Sequence, residues 1–208
     1  MNDFLRPHYD RLARFWQSGG SGEVKRSAIA FLILSVMAYA VCMLVPAVRQ
    51  TLFSFVFSAF SSLNVTDASG NLSAMGLFAN NLQACTMIML YGIIPFIHLP
   101  ALALGMNAML LGVLAAYYSF NGVSMALYFA ALIPHGIFEF PALILAFAMG
   151  LYVCGQVTRR LRHDETALPL GECVYQILRL DALVLLPLLA MAALMEAYVT
   201  PRVAAMFF

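Results

Sequence analysis

Charged residues are scarce in this sequence, and one long stretch has almost none. The chain has 208 residues, of which 10% are charged, against about 25% in an ordinary soluble domain. Between Arg49 and Arg159 there is no lysine or arginine, and the acids of that stretch are Asp67 and Glu139. The net charge of +1 provides no basic surface for nucleic acid. With 63% hydrophobic residues, the composition excludes a soluble domain and predicts an integral membrane protein.

Motifs for metal binding and catalysis are also missing. The four cysteines (Cys42, Cys85, Cys154 and Cys173) mostly fall in apolar runs and lack metal-ligand spacing, so they predict neither a disulfide framework nor a zinc site. No activated serine or cysteine motif is present. We therefore expect no enzyme activity, no catalytic residue, no metal and no cofactor.

Five apolar segments predict membrane spans. Each is long enough to cross about 30 Å of hydrocarbon at roughly 1.5 Å per residue. They cover residues 27–48, 75–96, 100–118, 123–157 and 178–199. The sequence therefore predicts an all-α polytopic membrane protein with a single transmembrane domain, residues 27–201, and a short outer tail, residues 202–208.

The first 26 residues form a polar, mildly basic head. Its apolar residues recur at helical spacing: Leu5, Tyr9, Leu12 and Trp16. The arginines of the head lie off this stripe, which predicts an amphipathic helix on the inner membrane surface with Trp16 at headgroup level. A partner-binding or disordered head is the alternative. Residues 17–22 predict a flexible break before the first span.

Two connections between the spans can be read from the sequence. Residues 51–63 are too short to span and predict an interfacial helix, which leads into a polar loop at 64–73. Pro95 and Pro100 break helices, so we expect a tight hairpin there with His98 in the turn as a surface residue.

The fourth apolar segment, residues 123–157, is longer than one span requires. As a continuous helix it would measure ~52 Å, nearly twice the hydrocarbon thickness. It contains Pro134, Gly136 and Pro141. We therefore expect a helix broken near residues 134–141, as in the discontinuous helices that line transporter sites. A continuous, tilted helix that is kinked at its prolines and projects from the bilayer is the alternative.

The distribution of basic residues predicts the orientation. The head holds five Lys/Arg residues and the Arg159–Arg162 cluster holds three, whereas the outer segments offer Arg49 and Arg202. Cytoplasmic loops carry the excess of Lys and Arg. We therefore expect a multi-pass protein of the cell membrane with the N-terminus in the cytoplasm and the C-terminus outside.

One acid and one histidine lie in the middle of the apolar territory. His135 and Glu139 are four residues apart and would share a helix face. Three interpretations stay open. The pair could tie neighbouring helices together through Asn80, Asn81 or Asn107; it could line a polar path for a proton, ion or small solute; or it could supply metal ligands or acid–base groups. The last is weakest, because no second His/Glu motif supplies further ligands.

The segment around this pair resembles the hallmark segment of the stage II sporulation protein M family of integral membrane proteins. It reads Pro134-His-Gly-Ile-Phe-Glu-Phe-Pro-Ala142. Further similar residues are Phe78–Asn81, Met106, Asn107, Gly112 and Met195–Pro201. Because the last of these segments contains Glu196, the resemblance favours this acid over Asp181 as an additional intramembrane partner.

This resemblance implies about five spans and no established catalytic activity. In spore formers a member of the family acts as a membrane scaffold for peptidoglycan-degrading enzymes. We therefore expect a scaffold or partner subunit that recruits cell-envelope or peptidoglycan-remodelling proteins. Its expected partners are the lipid bilayer and other membrane or envelope proteins. A homo-oligomer stays open, because the small-residue helix faces permit close packing but do not by themselves predict a dimer. The alternative is a small channel or transporter with a polar path around His135 and Glu139.

Overall fold

A computed structural model describes residues 6–61 and 73–207 of the chain. The α-helices in chain order are α1 Arg6–Phe15, α2 Ser21–Leu44, α3 Pro46–Ser61, α4 Ala74–Tyr91, α5 Leu99–Phe120, α6 Met125–Leu161, α7 Leu170–Leu180, α8 Leu186–Leu194 and α9 Thr200–Ala204. All regular structure in these ranges is helical, which confirms the all-α prediction. Of the predicted loop 64–73, all but Ser73 lies outside the described residues.

Four helical segments of the described chain are long and apolar enough to cross a membrane. They are Arg6–Leu44, Leu99–Phe120, Met125–Leu161 and Leu170–Phe207. The second predicted span, residues 75–96, is not among these four. It forms α4, a helix of 18 residues that contains the polar residues Asn80, Asn81 and Gln83. The prediction of five spans is therefore supported for four of them.

Prolines set several helix boundaries. Helix α2 ends at Leu44, before the predicted end of the first span at residue 48, because the residue that precedes Pro46 is held away from helical geometry. The predicted hairpin is confirmed as the connection between α4 and α5. Within it Phe96 and His98 have left-handed backbone angles, with φ values of 67° and 51°, and His98 is exposed as expected. Pro100 is not a break but the second residue of α5, where its missing N–H leaves no bond unmade.

The predicted break in the fourth segment is wrong. Helix α6 runs without interruption over 37 residues, from Met125 to Leu161, and contains Pro134, Gly136 and Pro141. Each proline removes one backbone hydrogen bond, and spanning helices tolerate such losses because neighbouring groups satisfy the freed carbonyls. The helix ends in the basic residues Arg159 and Arg160, beyond the predicted apolar segment.

The last helical segment begins earlier than predicted, at Leu170, and contains two π-helical turns. These turns are Asp181–Leu185 and Met195–Val199. Each ends two residues before a proline, Pro187 or Pro201. A proline ring clashes with the carbonyl four residues earlier, and a wider turn relieves that clash. The predicted outer tail, residues 202–208, continues this helical segment as far as Phe207.

The chain divides into two compact units. The head unit comprises Met1–Ala28, Leu82–Leu104 and Pro141–Leu188; the motif unit comprises Ile29–Asn81, Gly105–Phe140 and Leu189–Phe208.

In the head unit, α1 packs against α7 and its last residue contacts α6. Arg11 forms an ion pair with Glu172 at 3.1 Å, and the ring of Phe15 meets Tyr152 edge-on at 5.0 Å. The helix prediction for the head is therefore confirmed, and these two contacts are made by Arg11 and Phe15, which lie off the predicted apolar stripe. Tyr9 and Trp16 of that stripe are left exposed. The break predicted over residues 17–22 is confined to two residues with non-helical backbone angles, Ser18 and Gly19. The φ of Gly19 is 116°.

In the motif unit, a buried cluster joins α2, α3 and α5. Its buried members are Cys42, Phe53, Val56, Val113 and Ala116. The ring of Phe53 lies edge-on to Tyr117 with centroids 5.3 Å apart. This cluster accounts for Cys42 as a small apolar core residue, as its sequence context predicted.

Candidate functional site

His135 and Glu139 lie one turn apart on α6 and face each other. The His135 Nε2 atom is 3.9 Å from the Glu139 Oε2 atom, and the side chains are 14% and 20% exposed. This distance permits an ion pair but exceeds a hydrogen bond. The proximity expected from the spacing is thus present, with room between the two groups.

Glu196 is the third member of the site. One ligand atom from each of His135, Glu139 and Glu196 lies within 4.8 Å of the others, and all three residues are partly buried. Glu196 belongs to the π-helical turn Met195–Val199, which closes with the Thr200 N–H on the Met195 carbonyl. Single π turns inside α-helices frequently occur at functional sites. Here the turn follows from Pro201, so the local sequence itself creates the irregular position of the acid.

Thr200 holds the far side of the imidazole. Its Oγ1 atom is 3.3 Å from His135 Nδ1, and the residue is 8% exposed. A hydrogen bond at Nδ1 fixes the ring orientation and leaves Nε2 facing Glu139. Sequence reasoning did not assign this residue. The available signal was its spacing from Glu196, because residues four apart share a helix face.

Asn80 and Asn81, two of the asparagines proposed as partners, bond to each other. Asn80 Nδ2 donates to the side chain of its neighbour Asn81 at 3.3 Å. Asn107 also has an interaction partner. Gly136, from the same motif, lies under the ring of Phe140. A Cβ added to Gly136 would come within 2.8 Å of a carbon of that ring. The motif thus places its histidine and acid in the site and its glycine against an aromatic ring.

Among the described residues, His135 is the one basic group paired with the acids of the site. Neither Glu139 nor Glu196 pairs with a lysine or arginine in the described part of the chain; the ion pair of Glu139 is with His135. Arg49 of the motif unit instead donates to the carbonyls of Cys42 and Met43 at 2.8 and 2.9 Å. Two nearby carboxylates repel unless a proton or a cation lies between them. The site therefore has the charge and the donor atoms to bind a cation.

Asp181 occupies a separate place, in the head unit. Both of its carboxylate oxygens lie 3.2 Å from the Thr86 hydroxyl. Its neighbour Arg179 pairs with Glu172 at 2.8 Å. Of the two acids weighed in the C-terminal segment, Glu196 is therefore the one that joins His135 and Glu139.

Fold and site together define an all-α membrane protein with a cluster of ionisable side chains on two of its apolar helices. The chain belongs to the Stage II sporulation protein M family, whose pattern matches residues 27–201. It is similar to an uncharacterized protein of Methanocaldococcus jannaschii, with 30% identity over 160 residues that cover 74% of this chain and 88% of the relative. No solved structure matches the chain.

Proposed function

We propose that this protein binds a small cation within the membrane and carries it across. The observation that supports this function is the meeting of His135, Glu139 and Glu196, whose ligand atoms lie within 4.8 Å of one another. These residues lie on α6 and on the C-terminal helical segment, both long and apolar enough to span. The proposal takes the transport alternative of the sequence and adds Glu196 to it.

The energetic argument rests on the position of the acids. An ionised carboxylate within a span costs up to about 2.5–3.5 kcal/mol, the value for the helix centre on insertion scales. Two of them in one site without a basic partner are hard to explain by packing alone, since an apolar pair would fill the same space at lower cost. Ionisable residues in spans face cavities or neighbouring helices and mark ion and proton pathways. A transported cation compensates the charge during each passage.

Flux into liposomes tests this function. The purified full-length chain is reconstituted into vesicles that contain a pH dye or a metal-sensitive dye, and uptake is followed after a proton or metal-cation gradient is imposed. We expect uptake above that of empty vesicles, and its loss in E139Q. The matched control is E165Q, because Glu165 is an exposed acid in the loop after α6. A wild-type protein that moves neither protons nor metal cations would contradict the proposal.

A second candidate function is the scaffold or partner-subunit role. The observation that favours it is α1, which packs on α7 yet leaves Arg6 and Arg14 exposed, together with the exposed Trp16 that directly follows it. An ordered helix with free basic and aromatic side chains offers a surface to an acidic protein segment. The R6Q/R14Q variant tests this role in cells that lack the native protein. A scaffold predicts that the variant folds like the wild type in gel filtration but fails to restore the phenotype of those cells, whereas full restoration would contradict it.

A further inference from the structure

The composition of the site points beyond a generic cation, and we infer that it binds a divalent first-row transition metal, in the range Mn²⁺ to Zn²⁺. This inference shares its residues with the proposed function but does not depend on transport, since a resident metal would also satisfy it. Its basis is the charge, the donor types and the support of the histidine.

Charge is the first argument. When both glutamates are ionised and the imidazole is neutral, the site carries a net charge of −2, and no lysine or arginine pairs with Glu139 or Glu196 among the described residues. A single proton or alkali cation leaves a net negative charge. Two protons or one divalent cation bring the site to neutrality, which is the state of lowest cost in a medium of low dielectric constant. The charge therefore permits a divalent cation, and the donor atoms argue for one.

Donor type is the second argument. Ca²⁺ takes six to eight oxygen ligands and Mg²⁺ requires near-ideal octahedral oxygen geometry. This site offers one imidazole nitrogen and the oxygens of Glu139 and Glu196. Imidazole suits Zn²⁺, Fe²⁺ and related ions, and three protein ligands leave a position open for water or for exchange.

The third argument is independent of the ligands themselves. Metal-binding histidines donate their second ring N–H to a neighbouring acceptor, which fixes the tautomer and the ring orientation. Thr200 Oγ1 lies 3.3 Å from His135 Nδ1 and is buried. With Nδ1 protonated and donating to Thr200, Nε2 carries the lone pair that a metal needs, on the side where Glu139 lies. Thr200 is therefore assigned as a positioning residue.

Cobalt absorption tests the inference on the full-length protein in detergent, without its purification tag. Co²⁺ added to the metal-free chain should give visible absorption bands that saturate at one ion per chain. Zn²⁺ should abolish the bands, whereas Mg²⁺ and Ca²⁺ in excess should leave them. The E139Q/E196Q variant should lose the bands, and E165Q should keep them. Because E139Q/E196Q retains all four cysteines and every histidine, bands that persist in it would overturn the inference.

The role of Thr200 supplies a variant that leaves the ligands in place. We expect T200V to weaken Co²⁺ binding about 10–100-fold and T200S to restore it, while both variants elute as folded protein in gel filtration. Equal binding by T200V and T200S would overturn the assignment of Thr200.

The two proposals can fail separately. Proton flux without Co²⁺ bands would overturn the metal and leave transport standing. Co²⁺ bands without any flux would leave the metal site standing, as a structural centre, and overturn transport.

Discussion

Gly112 of α5 lies directly against the carbonyl oxygen of Ser35 in α2. A Cβ built on Gly112 would overlap that oxygen and come within 2.9 Å of the Ala38 Cβ. Two helix backbones can approach this closely only where one of them lacks a side chain. The contact holds α2 against α5 inside the motif unit.

We predict that G112A destabilises the protein, because the backbone of α2 cannot yield as a flexible side chain would. Overpacking of this kind costs about 1–3 kcal/mol. The matched control is G105A in the same helix, since nothing lies within 4 Å of the position its Cβ would take. Alanine is the better helix former by roughly 0.8–1.0 kcal/mol, so G105A should be neutral or stabilising. Thermal unfolding in detergent compares the two, and equal unfolding midpoints for both variants would be incompatible with the packing described.

Arg49 is predicted to stabilise the end of α2. Its guanidinium donates to the Cys42 and Met43 carbonyls and lies 4.1 Å from the centre of the Phe120 ring. Hydrogen bonds to charged groups contribute about 1.5–3 kcal/mol, so R49Q should lower the unfolding temperature. R202Q removes an exposed arginine of the same unit and serves as control. If R49Q unfolds together with R202Q, the guanidinium contributes nothing to the helix end.

Part of the site could be predicted from the sequence because it is local. The spacing of His135 and Glu139 places them on one face of any helix, so their proximity needed no tertiary information. The contact with Glu196 depends on how α6 meets the C-terminal segment, and only the family resemblance indicated that acid. Thr200 escaped notice because a lone threonine in an apolar helix has no distinctive pattern.

The clearest error of prediction concerns prolines. Pro134 and Pro141 were expected to break α6, yet the helix continues through both. In the C-terminal segment, by contrast, Pro187 and Pro201 do change the helix: each follows a π-helical turn. A proline removes one hydrogen bond in every case, and the surrounding packing decides whether the helix absorbs the loss or widens. That packing cannot be read from a single sequence.

The number of crossings is the next prediction, and it concerns α4. The basic head and the Arg159–Arg162 cluster should both lie in the cytoplasm, which requires an even number of crossings between them. Helices α2, α5 and α6 provide three, so α4 should provide the fourth despite its asparagines. Cysteines placed at Gln17 and Glu165 should then be shielded from an impermeant thiol reagent in intact cells, and one at Met206 should react. Reaction at Glu165 with protection at Met206 would mean that α4 does not cross.

Asp164 should make the loop after α6 sensitive to acid. Hydrogen bonds from the Thr166 hydroxyl and then from Arg159 lower the pKa of Asp164 from 3.8 to about 2. A carboxyl whose pKa is depressed in the folded state contributes stability above its unfolded pKa, and that contribution is lost as the pH falls through the folded value. Between about pH 4 and pH 2 the unfolding temperature of the wild type should therefore fall by more than that of D164N. Parallel curves for the two proteins would contradict this role.

The central claim is that Glu139 and Glu196 act as one cation site, and a double-mutant cycle on flux tests it most directly. Uptake into vesicles is measured for wild type, E139Q, E196Q and E139Q/E196Q under one cation gradient. Residues that act as a unit give strongly non-additive effects. We predict that each single variant falls to the level of empty vesicles or close to it, and that the double variant is no lower than the worse single one. Two partial losses that multiply in the double variant would contradict the claim, because they would show that the two acids act independently.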